Sequence, residues 1–171
     1  LYMKLFSKTT LIIITMMPSL IIASPQYNPS DVDRFKTTGQ CQGCDLTRMS
    51  SQNISIQNAN VEGSLLTESN ISHSHLANSN FKGTHMLSAD LEYGNFSGSN
   101  FSFSNLMYAD LHNANFSRCD FSNVNITGAN LAYSVLVEAN ITQSQLATAK
   151  SLSCTIMPDG NRHVSDSGKE C

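Results

Sequence analysis

The sequence predicts an all-β fold in which the chain winds as a four-sided solenoid of stacked parallel coils, with a short capping helix ahead of it. Three observations predict this. From 46 to 146, the positions ending in 1 or 6 make twenty-one consecutive five-residue steps, and only Ser51 fails to be large and apolar. The residue two before each is usually small, as at Ala59, Ser64, Ser79, Gly94, Ser104 and Ala114, and the residue just before is usually Asn or Asp. A helix repeats every 3.6 residues and a strand every 2, so neither gives three in-phase preferences at period five. A chain that turns a corner every five residues does, pointing one large and one small side chain inward on each side.

Residues 1–23 read as a secretory signal peptide. Lys4 and Lys8 precede the uncharged apolar run 11–22, Pro18 interrupts that run, and Ala23 offers the cleavage site. The run is short for a bilayer span. The expected location is therefore outside the cytoplasm, periplasmic or secreted, with no membrane attachment once the signal is removed. Residues 24–40 read as a linker and N-terminal capping helix. Ser30 is the expected N-cap over 31–37, Asp31 and Asp33 suit the positive end, and Gly39 terminates it. Val32 and Phe35 then share one face, which can cover the open end of a solenoid.

Residues 41–151 form the expected solenoid. Four sides close a coil of twenty residues, and about five coils spaced at roughly 4.8 Å give a rod on the order of 25 Å long. The map sorts the core into columns, such as Val61, Phe81, Phe101, Phe121 and Ile141, or Ile56, Leu76, Phe96, Phe116 and Leu136. It also aligns Asn60, Asn80, Asn100, Asp120 and Asn140 as one corner ladder and sets Arg118 beside Glu138. Residues 152–171 form a tail around the turn "MPDG", with too few apolar residues to hold itself down.

The repeat, clearest in "ADLHNANF" and "GANLAYSVLVEANI", resembles the pentapeptide-repeat family. That resemblance implies a right-handed quadrilateral β-solenoid and a structural or protein-interaction role without enzymatic activity. "CQGCDL" at 41–46 and "CTIMPDG" at 154–160 are similar to segments that flank such repeats in exported members.

The cysteines fit an oxidising compartment. Cys119 lies roughly 18 Å from Cys44 and 8 Å from Cys154 along the axis, beyond the Cα separation of about 7 Å that a disulfide tolerates, so it is expected as a buried free thiol. Cys154 and Cys171 flank the tail and are expected to close it. Cys41 and Cys44 form a CxxC without the βαβ context of a redox motif and read as a structural disulfide or paired thiols.

No catalytic residue, metal site or cofactor is expected. His73 and His75 flank one corner, but the equivalent positions one coil away are Asn53, Ser55, Tyr93 and Asn95, which complete no metal set. No glycine elbow, phosphate loop or paired carboxylate has the context that chemistry requires. Nucleic acid is not an expected partner, since the formal net charge is only -3. Some family members mimic DNA and engage DNA gyrase. Residues 41–150 hold eight acids against four bases, a net of four negative charges, where a 25 Å duplex mimic would carry about 15. The expected partner is another protein or a second copy of this chain. Leu65, Leu87, Phe103, Met107 and Tyr108 are the candidate contact residues, being large and apolar on a surface otherwise made of Ser, Thr, Asn and Gly.

Overall fold

The computed structural model describes residues 27–171, and the expected signal peptide over 1–23 lies outside the described residues. Parallel bridges join residues twenty apart all along the repeats: Gln40 to Asn60, Asn60 to Asn80, Asn80 to Asn100, Asn100 to Asp120 and Asp120 to Asn140 form one corner. Three more corners run in step, through Asp45, Ser50 and Ser55.

Each side is a β-turn. The backbone N–H of the small inward residue donates to the carbonyl of the large one three residues earlier, as from Ser104 to Phe101 at 3.0 Å and from Ser99 to Phe96 at 3.1 Å. The third residue of the turn takes a left-handed conformation, with φ 70° at Gly98 and 60° at Phe103. Between coils the backbones bond side by side, Phe101 N–H to the Asp120 carbonyl at 2.9 Å and Asp120 N–H to the Ser99 carbonyl at 3.0 Å. The corner Asn and Asp residues fix the turn: the Oδ1 atoms of Asn60, Asn80, Asn100 and Asp120 accept the N–H groups of Glu62, Lys82, Ser102 and Ser122. That is the physical reason an Asx residue precedes the core residue.

The interior is a phenylalanine lattice. Phe101 stacks between Phe81 and Phe121, with centroids at 4.7 and 5.4 Å, and meets Phe96 and Phe116 edge-on at 5.9 and 5.7 Å. From Ala59 to Ala139 both inward positions are buried at every side. Ser51 takes its core position and is buried, with Met49 buried beside it and Ile54 and Ile56 half-buried against the core.

The capping helix α1 spans Pro29–Thr38 and buries Val32 and Phe35 on the first coil. Its N-cap is Asn28, not Ser30: the Asn28 side chain accepts from the Ser30 backbone and hydroxyl at 3.1 and 2.8 Å. Pro29 at the first helical position has no N–H to satisfy and a φ already set for helix, which moves the start two residues earlier. Gly39 ends the helix at φ 69°, and a Cβ there would stand 2.6 Å from Ile56 Cγ2. Asp31 ties the helix to the solenoid by accepting the Asp45 N–H at 3.0 Å, and within the helix it pairs with Arg34 at 2.8 Å.

The repeats do contain a helix, contrary to expectation. A single turn, α2, spans Gln143–Leu146, with Thr142 and Gln145 forming a reciprocal capping box. It absorbs one extra residue, so that Asn130 pairs with Ser151 and Val135 with Ile156, 21 rather than 20 apart. Gln145 Nε2 donates to the Phe121 and Val124 carbonyls at 2.8 and 3.0 Å, supplying partners the displaced strand would have provided. Parallel pairing runs on to Ile156, past the expected solenoid boundary at 151, and Ile156 then pairs antiparallel with Arg162. Disulfides join Cys41 to Cys44 and Cys154 to Cys171, while Cys119 is buried and unpaired. Among the described residues, no helix is long and apolar enough to cross a membrane.

Candidate functional site

A solenoid side presents two outward side chains between corners, and the second of them sits at the left-handed turn position. Glycine and asparagine adopt that conformation at least cost, whereas for a bulky residue it is disfavoured. Phe103 and Tyr108 nonetheless occupy it, at φ 60° and 57°, and expose 62% and 61% of their surface. Leu65 and Leu87 are exposed as well, and Met107 is half-buried.

The fold brings some of these candidates together. Leu87 and Met107 occupy the same outward position on successive coils, linked through the Ser88 N–H to the Met107 carbonyl at 2.9 Å. Tyr108 follows Met107, and its ring lies over Gly128, where an added Cβ would stand 2.5 Å from Tyr108 Cδ1. Phe103 stands on the preceding side, just before the corner at Asn105. Leu65 lies farther off, on the corner where it bridges to Asp45 and His85. The patch is therefore a diagonal band across one corner rather than a single flat face.

A second group of exposed rings was not singled out by the sequence. His73 and Tyr93 stack with centroids 4.9 Å apart and planes 2° from parallel. His112 then meets Tyr93 edge-on at 5.6 Å and Tyr133 at 5.9 Å, so the row spans four successive coils. Tyr93 and Tyr133 are half-exposed, and His73, Tyr93 and Tyr133 are all left-handed, at φ 57°, 55° and 60°. Listing positions 53, 73, 93, 113 and 133 as one column would have shown three of these rings; His112 belongs to the neighbouring column. His75, by contrast, stands on the corner between Ser55 and Asn95 and takes no part.

Charged side chains on the three sides other than the ring row's mostly neutralise one another. Arg48 pairs with Glu68 at 2.6 Å, Arg118 with Glu138 at 2.8 Å, as the column map expects, and Lys82 with Glu62 at 3.7 Å. The hydrogen bonds from Arg48 hold the Glu68 carboxyl below its ordinary range. Such exposed pairs contribute about 0 to 1 kcal/mol each. Burial pushes the Cys119 thiol up to about 12, which suppresses its nucleophilic thiolate.

Surface depressions lie at the C-terminal end. One of about 540 Å³ is lined by Ser122, Asn123, Val124, Asn140, Thr142, Ser144 and Gln145, none of them titratable. Another, of about 500 Å³, lies along the tail beside Val164, where Cys171 is held in its disulfide and His163 Nδ1 turns to the Val164 carbonyl at 2.9 Å. Near α1, the Asp31 carboxylate and the sulfurs of Cys41 and Cys44 lie within 4.8 Å of one another, but the two sulfurs are bonded to each other.

The family model described as pentapeptide repeats matches residues 64–102, 85–123 and 119–149. Among solved structures, a pentapeptide repeat protein from the thylakoid lumen of Arabidopsis thaliana is 23% identical, covering 74% of this chain and 86% of that one with a TM-score of 0.55. One from the cyanobacterium Nostoc, involved in heterocyst differentiation regulation, is 20% identical over 72% of this chain and 76% of its own, with a TM-score of 0.33. Another from Nostoc is 17% identical over 71% and 93%, with a TM-score of 0.43. No curated protein matches the chain.

Proposed function

The chain belongs to the pentapeptide-repeat family, and from that premise we propose that it is a non-enzymatic interaction module working outside the cytoplasm. Its working part is a right-handed, four-sided solenoid of about five coils, closed at its start by α1. It binds a protein partner, or a second copy of itself, through the band made by Leu65, Leu87, Phe103, Met107 and Tyr108. One observation carries this reading: Phe103 and Tyr108 expose about three-fifths of their surface from turn positions that disfavour bulky side chains. Residues held in costly conformations concentrate at functional sites. Two disulfides support an oxidising location.

The test is the double substitution Leu87→Ser and Met107→Ser. Far-UV circular dichroism should be unchanged, because both side chains point away from the core. Sedimentation velocity of the mature protein, alone and with any captured partner, should show association weakened at least tenfold. Association equal to wild type in both settings would assign the band to ordinary surface.

A further inference from the structure

The side that follows the Ser50 corner carries the row of rings described above, and its charge is as distinctive as its aromatic content. Its five coils, residues 50–55, 70–75, 90–95, 110–115 and 130–135, contain Asp90, Glu92 and Asp110 and neither Arg nor Lys. Three of the eight acids in the repeats are therefore gathered on a side that holds none of their four bases. Asp90 bridges to Asp110 on the next coil, and the amides of Asn70 and Asn130 bond to these carboxylates at 2.7 and 3.3 Å, holding the two acids side by side. Glu92 reaches to 3.9 Å from His112 Nδ1, within the row of rings.

Aromatic faces and edges flanked by carboxylates, with no Arg or Lys beside them, are complementary to a guanidinium or ammonium group: the ring attracts the charge and the carboxylate accepts its hydrogen bonds. Tyr93 and Tyr133 are two coils apart, roughly 9.6 Å at the usual strand spacing, which one turn of a polyproline-II segment, three residues at a rise of roughly 3.1 Å, spans at roughly 9.3 Å with its first and fourth side chains on one face. We propose that this side is a docking surface for an arginine-bearing extended peptide segment of a partner protein, lying along the solenoid axis. Side chains three residues apart contact Tyr93 and Tyr133, while Asp90, Glu92 and Asp110 supply the opposing charge. This surface is separate from the apolar band, and either can fail without the other.

The experiment titrates the full mature protein into a fluorescein-labelled peptide of five Arg-Ser-Ser units and follows anisotropy. Saturable binding is expected, weakening steeply between 50 and 500 mM salt, with no binding of the matching Glu-Ser-Ser peptide. Tyr93→Ser with Tyr133→Ser should weaken binding roughly tenfold, and Glu92→Gln should weaken it several-fold. Leu87→Ser with Met107→Ser, on the neighbouring side, should leave it unchanged. All five variant positions are outward, and circular dichroism checks that each variant retains its fold. Absence of binding, binding insensitive to the tyrosine pair, or binding of a neutral oligosaccharide such as cellopentaose in place of the peptide would overturn the proposal.

Discussion

Phe101 and Phe103 are two residues apart, chemically identical, and should respond oppositely to substitution. Phe101 is fully buried and touches four other phenylalanine rings, two stacked and two edge-on, at centroid distances between 4.7 and 5.9 Å. Truncation to alanine removes that burial and leaves a cavity that rings fixed by coil spacing cannot close, a loss of about 3 to 5 kcal/mol. Phe103 is 62% exposed and held at φ 60°. Phe103→Gly gives up little burial and relieves a left-handed conformation that costs an L-residue on the order of 1 kcal/mol. The glycine also adds unfolded-state entropy of similar size, so the net change should be near zero. Urea unfolding of the disulfide-intact chain separates the two. With a slope of about 2 kcal/mol per M, Phe101→Ala should lower the midpoint by about 2 M and Phe103→Gly by less than about 0.5 M. Equal shifts for the two variants, or a shift below about 0.5 M for Phe101→Ala, would refute the assignment of one ring to the core and the other to the surface.

Ser104 and Ser134 are buried with no partner for Oγ, so Ser134→Ala should leave stability unchanged or raise it by up to about 1 kcal/mol in the same urea assay. Cys119 should resist iodoacetamide until the protein unfolds. Because burial raises its folded value from the ordinary 9.0 to about 12, the unfolded chain loses its proton first. Its contribution to stability is therefore whole below pH 9 and falls as pH rises toward 12, and Cys119→Ala should flatten that alkaline loss. Cys171→Ser opens the tail disulfide, whose partner Cys154 is buried in the last turn. Limited trypsin digestion should then cut at Arg162 and Lys169 well before the repeats, whereas the wild-type tail should survive longer.

The five-residue period made most of the fold legible, because every coil repeats its core position in the sequence and each column could be written down before any coordinate. Asp120 and Asn140 fell on one corner, and Arg118 met Glu138, for that reason. The period also concealed α2. Ile141 and Leu146 keep five-residue spacing, so the Thr142 and Gln145 capping box, itself a readable signal, was masked by a stronger one. The N-cap moved to Asn28 because a cap followed by proline outweighs a serine two residues further on. The ring row was harder to see. Its members come from two columns, and the stacking of His73 on Tyr93 and the edge contacts of His112 depend on side-chain torsions that spacing does not encode.

The central claim, a module that engages a protein through one solenoid band, is tested most directly by site-specific photocrosslinking in the host that makes the protein. Benzoylphenylalanine placed at 103 lies in the band, while the same group at 97 or 117 lies outward on the side opposite Leu87 and Met107, at positions of small polar residues. Defined, repeatable adducts from position 103, lost in the Leu87→Ser and Met107→Ser background and absent from 97 and 117, are the predicted result. No adduct from 103, or the same adducts from all three positions, would contradict it.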